Sequence, residues 1–202
     1  MFCILKSYNE IATSPWLTQL FAAHGKYLQE TGSVRKSVLS GGCLWEETVP
    51  AILVHVIRKL KAEHTRYFSL GSGIGTDCFV AAECGFSEIT GYDISPMMIQ
   101  IARNIQNKIT EATAAELPIS FQQQDMFTAP INKVGFYYVY LDKSIPFFSL
   151  YDEFERSFSR GSRLLINTVD PLFLRGKNKN CIERMSYKIH DGRSYYMAAY
   201  AF

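Results

Sequence analysis

Tyr67-Phe68-Ser69-Leu70-Gly71-Ser72-Gly73-Ile74-Gly75-Thr76-Asp77 is the stretch around which this chain is organised. Tyr67 to Leu70 is a short apolar run that reads as a buried strand. It breaks into glycines on alternate positions, and Cys78, Phe79, Val80, Ala81 and Ala82 continue as a helix. A strand, a glycine turn and a helix N-terminus bring bare main-chain N–H groups beside a ligand. Without Cβ atoms, the turn lies flat against an adenosine-type molecule. At the end of the next short strand, Glu88 to Tyr92, stands Asp93, where a carboxylate can accept both hydroxyls of a ribose. The local alternative for Asp93 is a helix cap, a role that Ser95 can also fill. The glycine turn and the strand-ending Asp occur together, which favours ribose. Leu70, Gly71, Ser72, Gly73, Gly75, Asp93 and Ile94 are therefore the expected ligand contacts on these two strands.

Upstream, Val49 to Lys61 carries apolar residues at Ile52, Leu53, Val56, Ile57 and Leu60, the spacing of a helix that packs one face on a core. This helix delivers the chain into the glycine-bearing strand, so its N-terminus falls on the ligand side of the sheet. Glu47 and Thr48 can reach the ligand from there; equally, Thr48 caps the helix and Glu47 complements its dipole. Residues 1–43 form an N-terminal helical segment, and residues 44–202 the ligand-binding domain.

Downstream, Ser95-Pro96 opens a helix with Met97, Met98, Ile101, Ala102 and Ile105 along its apolar side. Ile119 to Gln124 alternates as a third strand ending at Asp125-Met126. At that edge a carboxylate can accept the exocyclic amine of adenine, while Met126 offers an apolar surface to the ring. A loop-capping Asp125 is the competing reading. Val134 to Leu141 is nearly continuous apolar sequence, as in a central strand buried on both faces. Its tip, with Tyr140 and Asp142, is expected opposite the reacting group: Tyr140 as a pocket wall, Asp142 as a proton acceptor or simply a strand end. Trp45, Phe147 and Phe148 are candidates for the entrance. Tyr151 to Ser159 is a further helix and Arg163 to Thr168 a fifth strand. Asp170 to Arg184 reads as a loop. Met185 to His190 and Arg193 to Tyr200 flank Asp191-Gly192, a two-residue hairpin signal. The fold class is α/β: a doubly wound, seven-stranded, mostly parallel sheet with an antiparallel last strand.

Composition narrows the function. With 202 residues, 48% hydrophobic and 20% charged, the chain suits one domain with a full core. A net charge of +2 gives no general attraction to nucleic acid or an acidic membrane. The five cysteines include no Cys-x-x-Cys pair, so no metal site and no disulfide framework is expected. Met1 to Leu5 is too short for a signal peptide and Val49 to Ile57 too short to span a membrane, which points to a cytoplasmic protein.

Leu70-Gly71-Ser72-Gly73-Ile74-Gly75, the spacing to Asp93 and Asp125, and the terminal hairpin together resemble class I S-adenosylmethionine-dependent methyltransferases over residues 44–202. The resemblance implies S-adenosyl-L-methionine as cofactor, S-adenosyl-L-homocysteine as product, and in-line transfer of a methyl group. Trp45-Glu46-Glu47-Thr48 and Ser194-Tyr195-Tyr196 are similar to segments of the non-SET histone lysine methyltransferases. Tyr140-Leu141-Asp142 is closer to the Tyr-Leu-Leu of small protein-lysine methyltransferases than to the paired asparagines of the histone enzymes. The implied acceptor is a protein side-chain amine. The alternatives are a small-molecule acceptor, or a cofactor-binding module without catalysis. A nicotinamide dinucleotide is the competing cofactor, against which stands Thr76, where that fingerprint has a third glycine or alanine.

Overall fold

The computed structural model describes residues 50–61, 63–141, 147–168, 179–188 and 194–202. The 1–43 segment, Trp45, Glu47, Thr48, Asp142 and the Asp191-Gly192 turn lie outside the described residues.

The elements run α1 (Pro50–Leu60), β1 (Arg66–Leu70), α2 (Thr76–Glu83), β2 (Glu88–Asp93), α3 (Pro96–Thr113), β3 (Ile119–Gln123), β4 (Phe136–Leu141), α4 (Phe147–Ser157), β5 (Arg163–Thr168), β6 (Cys181–Lys188) and β7 (Ser194–Ala201). The seven strands form one sheet in the order β3-β2-β1-β4-β5-β7-β6. Strands β1 to β5 are mutually parallel, and β7 enters antiparallel between β5 and β6. The chain works outward from β1 to β3 and then returns to β4. The sheet therefore reverses direction between β1 and β4, which opens a crevice at their carboxyl ends.

Alternation along each strand separates two cores. On one face, α1, α2 and α3 cover Tyr67, Ile89, Phe121, Tyr138 and Leu165. On the other, Tyr151 and Phe154 of α4, with Phe158 just after it, cover Phe68, Tyr137, Val139 and Ile166. Helix α1 forms because its buried residues fall on one stripe while Arg58 and Lys59 occupy the last turn, where the helix dipole favours cations. Helix α3 is capped by Ser95, whose hydroxyl accepts from Met98 N at 3.4 Å, and ends on Ala114 in the left-handed region at φ 53°.

Three boundaries move from their expected places. β4 begins at Phe136 because Gly135 passes the Phe68 ring so closely that a Cβ there would lie 2.7 Å from it, and Val134 faces solvent. Helix α4 starts four residues early, at Phe147, so both candidate entrance phenylalanines stand in its first turn. β6 starts at Cys181 rather than Met185. Ile182 is exposed and Glu183 and Arg184 are charged, as suits an edge strand, and a register shift between Cys181 and Glu183 breaks the alternation that would have marked it. Among the described residues no helix is long and apolar enough to cross a membrane.

Candidate active site

The glycine turn sits at the carboxyl end of β1, beside the crevice. Gly71, Gly73 and Gly75 all have positive φ. The turn folds back over the end of β2: Gly71 N and Ser72 N both donate to the carbonyl of Tyr92, at 2.9 and 2.8 Å. Gly73 N donates to Asp93 Oδ2 at 2.8 Å, and Gly75 N to the carbonyl of Ser72 at 2.8 Å. This corrects the expectation of bare amides. Four turn N–H groups are spent inside the protein, so the turn presents flat Cα surface and few main-chain donors. That polarity is wrong for a pyrophosphate, which needs unspent N–H donors, and the dinucleotide alternative loses its main support.

Asp93 holds this arrangement together. Its second oxygen accepts from Ser95 N at 2.8 Å. Burial pushes the carboxyl above its ordinary value, against the lowering pull of the Ser95 and Gly73 N–H groups. The helix-cap alternative fails, since Ser95 caps α3, and Asp93 instead ties the turn to β2. Each carboxylate oxygen keeps a second lone pair for a hydroxyl.

The other expected contacts divide. Met126 reaches across to the turn, its ε-methyl 3.2 Å from where a Cβ at Gly71 would stand. Asp125 Oδ1 accepts from Phe127 N at 2.9 Å, so this residue does cap its loop, with one oxygen uncommitted. Ile94 is exposed at the tip of β2. With Met97 and Phe127 it makes three of the five exposed large apolar side chains among the described residues, all at this sheet edge. Leu70, by contrast, points its side chain into the α4-side core, leaving only its main chain for a ligand. Gly75 turns its Cα toward Phe121, where a Cβ would come within 2.5 Å of the ring, so it serves close packing rather than the open side of the turn. Ser72 is buried, with a hydroxyl that has no partner.

Tyr140 is half-buried on the α1 side, paired in register with Asn167 of β5. Asn167 escaped the sequence reading. It is fully buried, donates from Nδ2 to the Tyr138 hydroxyl at 3.2 Å and accepts at Oδ1 from the Tyr187 hydroxyl at 3.4 Å. Tyr187 stacks on Tyr195, ring centroids 5.2 Å apart and 8° from parallel. The reversed direction of β7 carries Tyr195 to the same edge as Tyr140. Asp77 and Ser69, beneath the turn, were likewise not singled out. The only hint was an acidic residue in a helical first turn, which usually means no more than a dipole contact.

A separate cleft of about 70 Å³ lies between α1 and β6, bounded by Ile52, Val56 and Tyr187. Small-molecule sites run from roughly 300 Å³, so it is not a nucleoside site. Among the described residues, no group of three His, Cys, Asp or Glu is placed to hold a metal ion.

A crevice at the sheet reversal, a glycine turn with its N–H groups largely spent, a carboxylate at the neighbouring strand's tip and an antiparallel β7 define the class I methyltransferase fold. The family model described as Methyltransferase domain matches residues 61–201, and the chain belongs to that family. It is an S-adenosylmethionine-dependent methyltransferase. The unpartnered Ser69 and Ser72 hydroxyls and the spent turn amides fit a cationic nucleoside as cofactor. Similar solved structures include an RNA methyltransferase from Salinibacter ruber in complex with S-adenosyl-L-homocysteine: 22% identity, TM-score 0.55, covering 77% of this chain and 94% of that one. An O-methyltransferase from Thermotoga maritima is 11% identical, with TM-score 0.59 and coverage of 78% and 68%. A ribosomal protein L11 methylase from Lactobacillus delbrueckii subsp. bulgaricus is 13% identical, with TM-score 0.59 and coverage of 78% and 81%. No curated protein sequence gives a significant match.

Proposed function

We propose that the enzyme methylates a side-chain amine of a protein, lysine-like in chemistry, and that its donor lies on the glycine turn. In this reading Asp93 takes the ribose hydroxyls, while Met126 and Ile94 bracket the adenine beside Asp125. The main chain of Leu70 to Gly73 carries the rest. S-Adenosylmethionine supplies a methyl group already activated on a sulfonium, so the protein's task is alignment and exclusion of water.

The observation that carries the amine reading is the buried Asn167 with tyrosines gathered around it. Tyr138, Tyr140, Tyr187 and Tyr195 lie on the α1-side face of the sheet, the first two on the strand that borders the crevice. Aromatic walls strip water from an arriving ammonium and so favour its neutral, nucleophilic form. Tyr140 is then the wall nearest the turn, since β4 is the strand adjacent to β1. Asp142, Glu47 and Thr48 keep their expected roles as proposals. The printed name of the Lactobacillus protein gives a protein acceptor on this fold.

Incubation of the enzyme with labelled donor and a cell lysate tests the acceptor: label is expected on protein, and label confined to small molecules or RNA refutes it. Gly73→Arg is expected to abolish donor binding, because a side chain there would enter the turn's open side. Unchanged binding would remove the donor from the turn. Asp93→Ala, which also unties Gly73, is expected to weaken donor binding by about tenfold or more.

A further inference from the structure

The charges of the sheet are sorted by end. The turns at the carboxyl ends of β1, β2 and β3, residues 71–77, 93–95 and 124–128, carry Asp77, Asp93 and Asp125 and no Lys or Arg. The opposite rim, where the parallel strands begin, is basic. Arg66 and Arg163 are the first residues of β1 and β5, Lys133 precedes β4, and Arg160 stands in the turn between α4 and β5. The acids beside them are Glu63, three residues before Arg66, and Glu88, at the start of β2.

These cations are poorly neutralised. Glu88 alone serves two of them, accepting from Arg66 Nε at 2.7 Å while Lys133 Nζ stays 4.0 Å from its other oxygen. Arg163 donates to the Leu60 carbonyl, a neutral group. Its charge, after burial, is what holds His64 below its ordinary value. Arg160 is exposed, and nothing pairs with its side chain among the described residues. The loops that carry these groups are nevertheless fixed to one another. The Ser159 hydroxyl donates to the Asn132 carbonyl, the Tyr137 and Ser162 hydroxyls both donate to the Lys133 carbonyl, and Arg163 N donates to Gly135 at 3.0 Å. Between Lys133 and Arg160 an apolar side chain faces water: Val134 is 46% exposed and lies against Gly161, 3.8 Å from where a Cβ there would stand.

We infer that this rim docks an acidic segment of the acceptor protein, its carboxylates on Lys133 and Arg160 and an aliphatic side chain on Val134. Exposed guanidinium and ammonium groups on a fixed platform match carboxylates, and the valine between them gives such a segment an apolar anchor. A nucleic-acid strand would call for aromatic faces on which bases stack. The ring at this rim, Phe202, is turned instead onto Tyr151 and Phe158. The five residues of β1 put the rim about 17 Å from the glycine turn, so docking here leaves the crevice free for the amine. The inference rests on the acceptor being a protein.

Fluorescence anisotropy on the full chain, with a labelled glutamate peptide carrying one central leucine, reads the docking directly, and RNA of the same length is the control. The peptide is expected to bind, less tightly as salt rises. Lys133→Glu combined with Arg160→Glu is expected to weaken it about tenfold or more, while S-adenosylhomocysteine affinity stays within about twofold. Both side chains are exposed and neither carries a hydrogen bond of the fold, so the variant tests docking rather than folding. No binding to the wild type, equal binding to the variant, or tighter binding of RNA overturns the inference. With labelled donor and a dilute cell lysate, the variant is expected to label protein about tenfold more slowly and to recover as the lysate is concentrated. Protein labelling identical to that of the wild type overturns the docking and leaves the acceptor reading standing. Label confined to small molecules or RNA removes the acceptor reading, and the inference falls with it.

Discussion

Asp77→Asn is expected to make the donor-free protein more stable at neutral pH. Burial raises the carboxyl from 3.8 to about 6, and two pH units at about 1.36 kcal/mol each give about 3 kcal/mol. The sign follows from the direction of the shift. A carboxyl whose folded value lies above its unfolded value binds its proton more readily in the folded state. The cost is therefore absent below pH 4, grows as pH rises toward 6, and is constant above that. Asparagine has no charge to bury, and its carbonyl oxygen still accepts from Tyr67. Its amide has the unpartnered Ser69 hydroxyl close by. Urea unfolding of both proteins at pH 4, 5, 6 and 7, without ligand, measures the difference. It should be near zero at pH 4 and about 3 kcal/mol in favour of the variant at pH 7, or about 6–12 °C in melting temperature for a domain of this size. A difference that does not change with pH would show that Asp77 does not titrate in this window. A variant less stable at pH 7 would show that the Tyr67 hydroxyl and the main-chain N–H groups at Asp77 compensate the carboxylate fully, and would refute the argument that burial destabilises it.

Two further substitutions probe the packing behind the site. Gly75→Ala places a methyl 2.5 Å from the Phe121 ring at φ 87°, and should cost about 2–4 kcal/mol of stability in thermal or urea unfolding. Asn167→Leu deprives the Tyr138 and Tyr187 hydroxyls of a shared partner, for about 1–3 kcal/mol. Because Asn167 stands two strands from the glycine turn, turnover should fall while S-adenosylhomocysteine affinity stays within about twofold, a split that calorimetry and a methyl-transfer assay resolve.

The element order was legible because the local signals agree with one another. Tyr67 to Leu70 is apolar but for the small Ser69, Ser95-Pro96 caps and starts a helix, and Val139 to Leu141 has no exposed position to break its run. The charged edge strand β6 was only half legible, since an edge strand carries polar residues where a central one cannot. The site was less legible because its chemistry depends on contacts between elements. Gly75 looks like its neighbours in sequence, yet its Cα faces Phe121 from β3. The turn amides looked free because nothing in the turn itself announces that the Tyr92 carbonyl, from another strand, takes two of them. Asp77 differs from any first-turn acid only through Tyr67, ten residues earlier, whose hydroxyl comes up from the sheet to meet it. Asn167 looked like the tail of a strand, and its importance comes from two hydroxyls, 29 and 20 residues away in sequence.

The sheet order divides the labour of the reaction. Among the described residues, β1, β2 and β3, with the turns that follow them, carry the groups assigned to the donor, and they descend from one continuous run of chain, Arg66 to Phe127. The tyrosines and Asn167 assigned to the acceptor come instead from β4 to β7. They share an edge only because β7 runs backward: a parallel seventh strand would deliver Tyr195 to the far end of the sheet, and Tyr187 with it. On this division, the Tyr138–Asn167–Tyr187 bridge has a physical reason to be buried. It fixes the spacing between a strand adjacent to the donor and a hairpin outside the parallel set, two units that main-chain pairing alone joins only through β5. A hydroxyl–amide–hydroxyl chain constrains that distance more sharply than apolar packing does, because hydrogen bonds weaken steeply with misalignment while hydrophobic contact tolerates sliding.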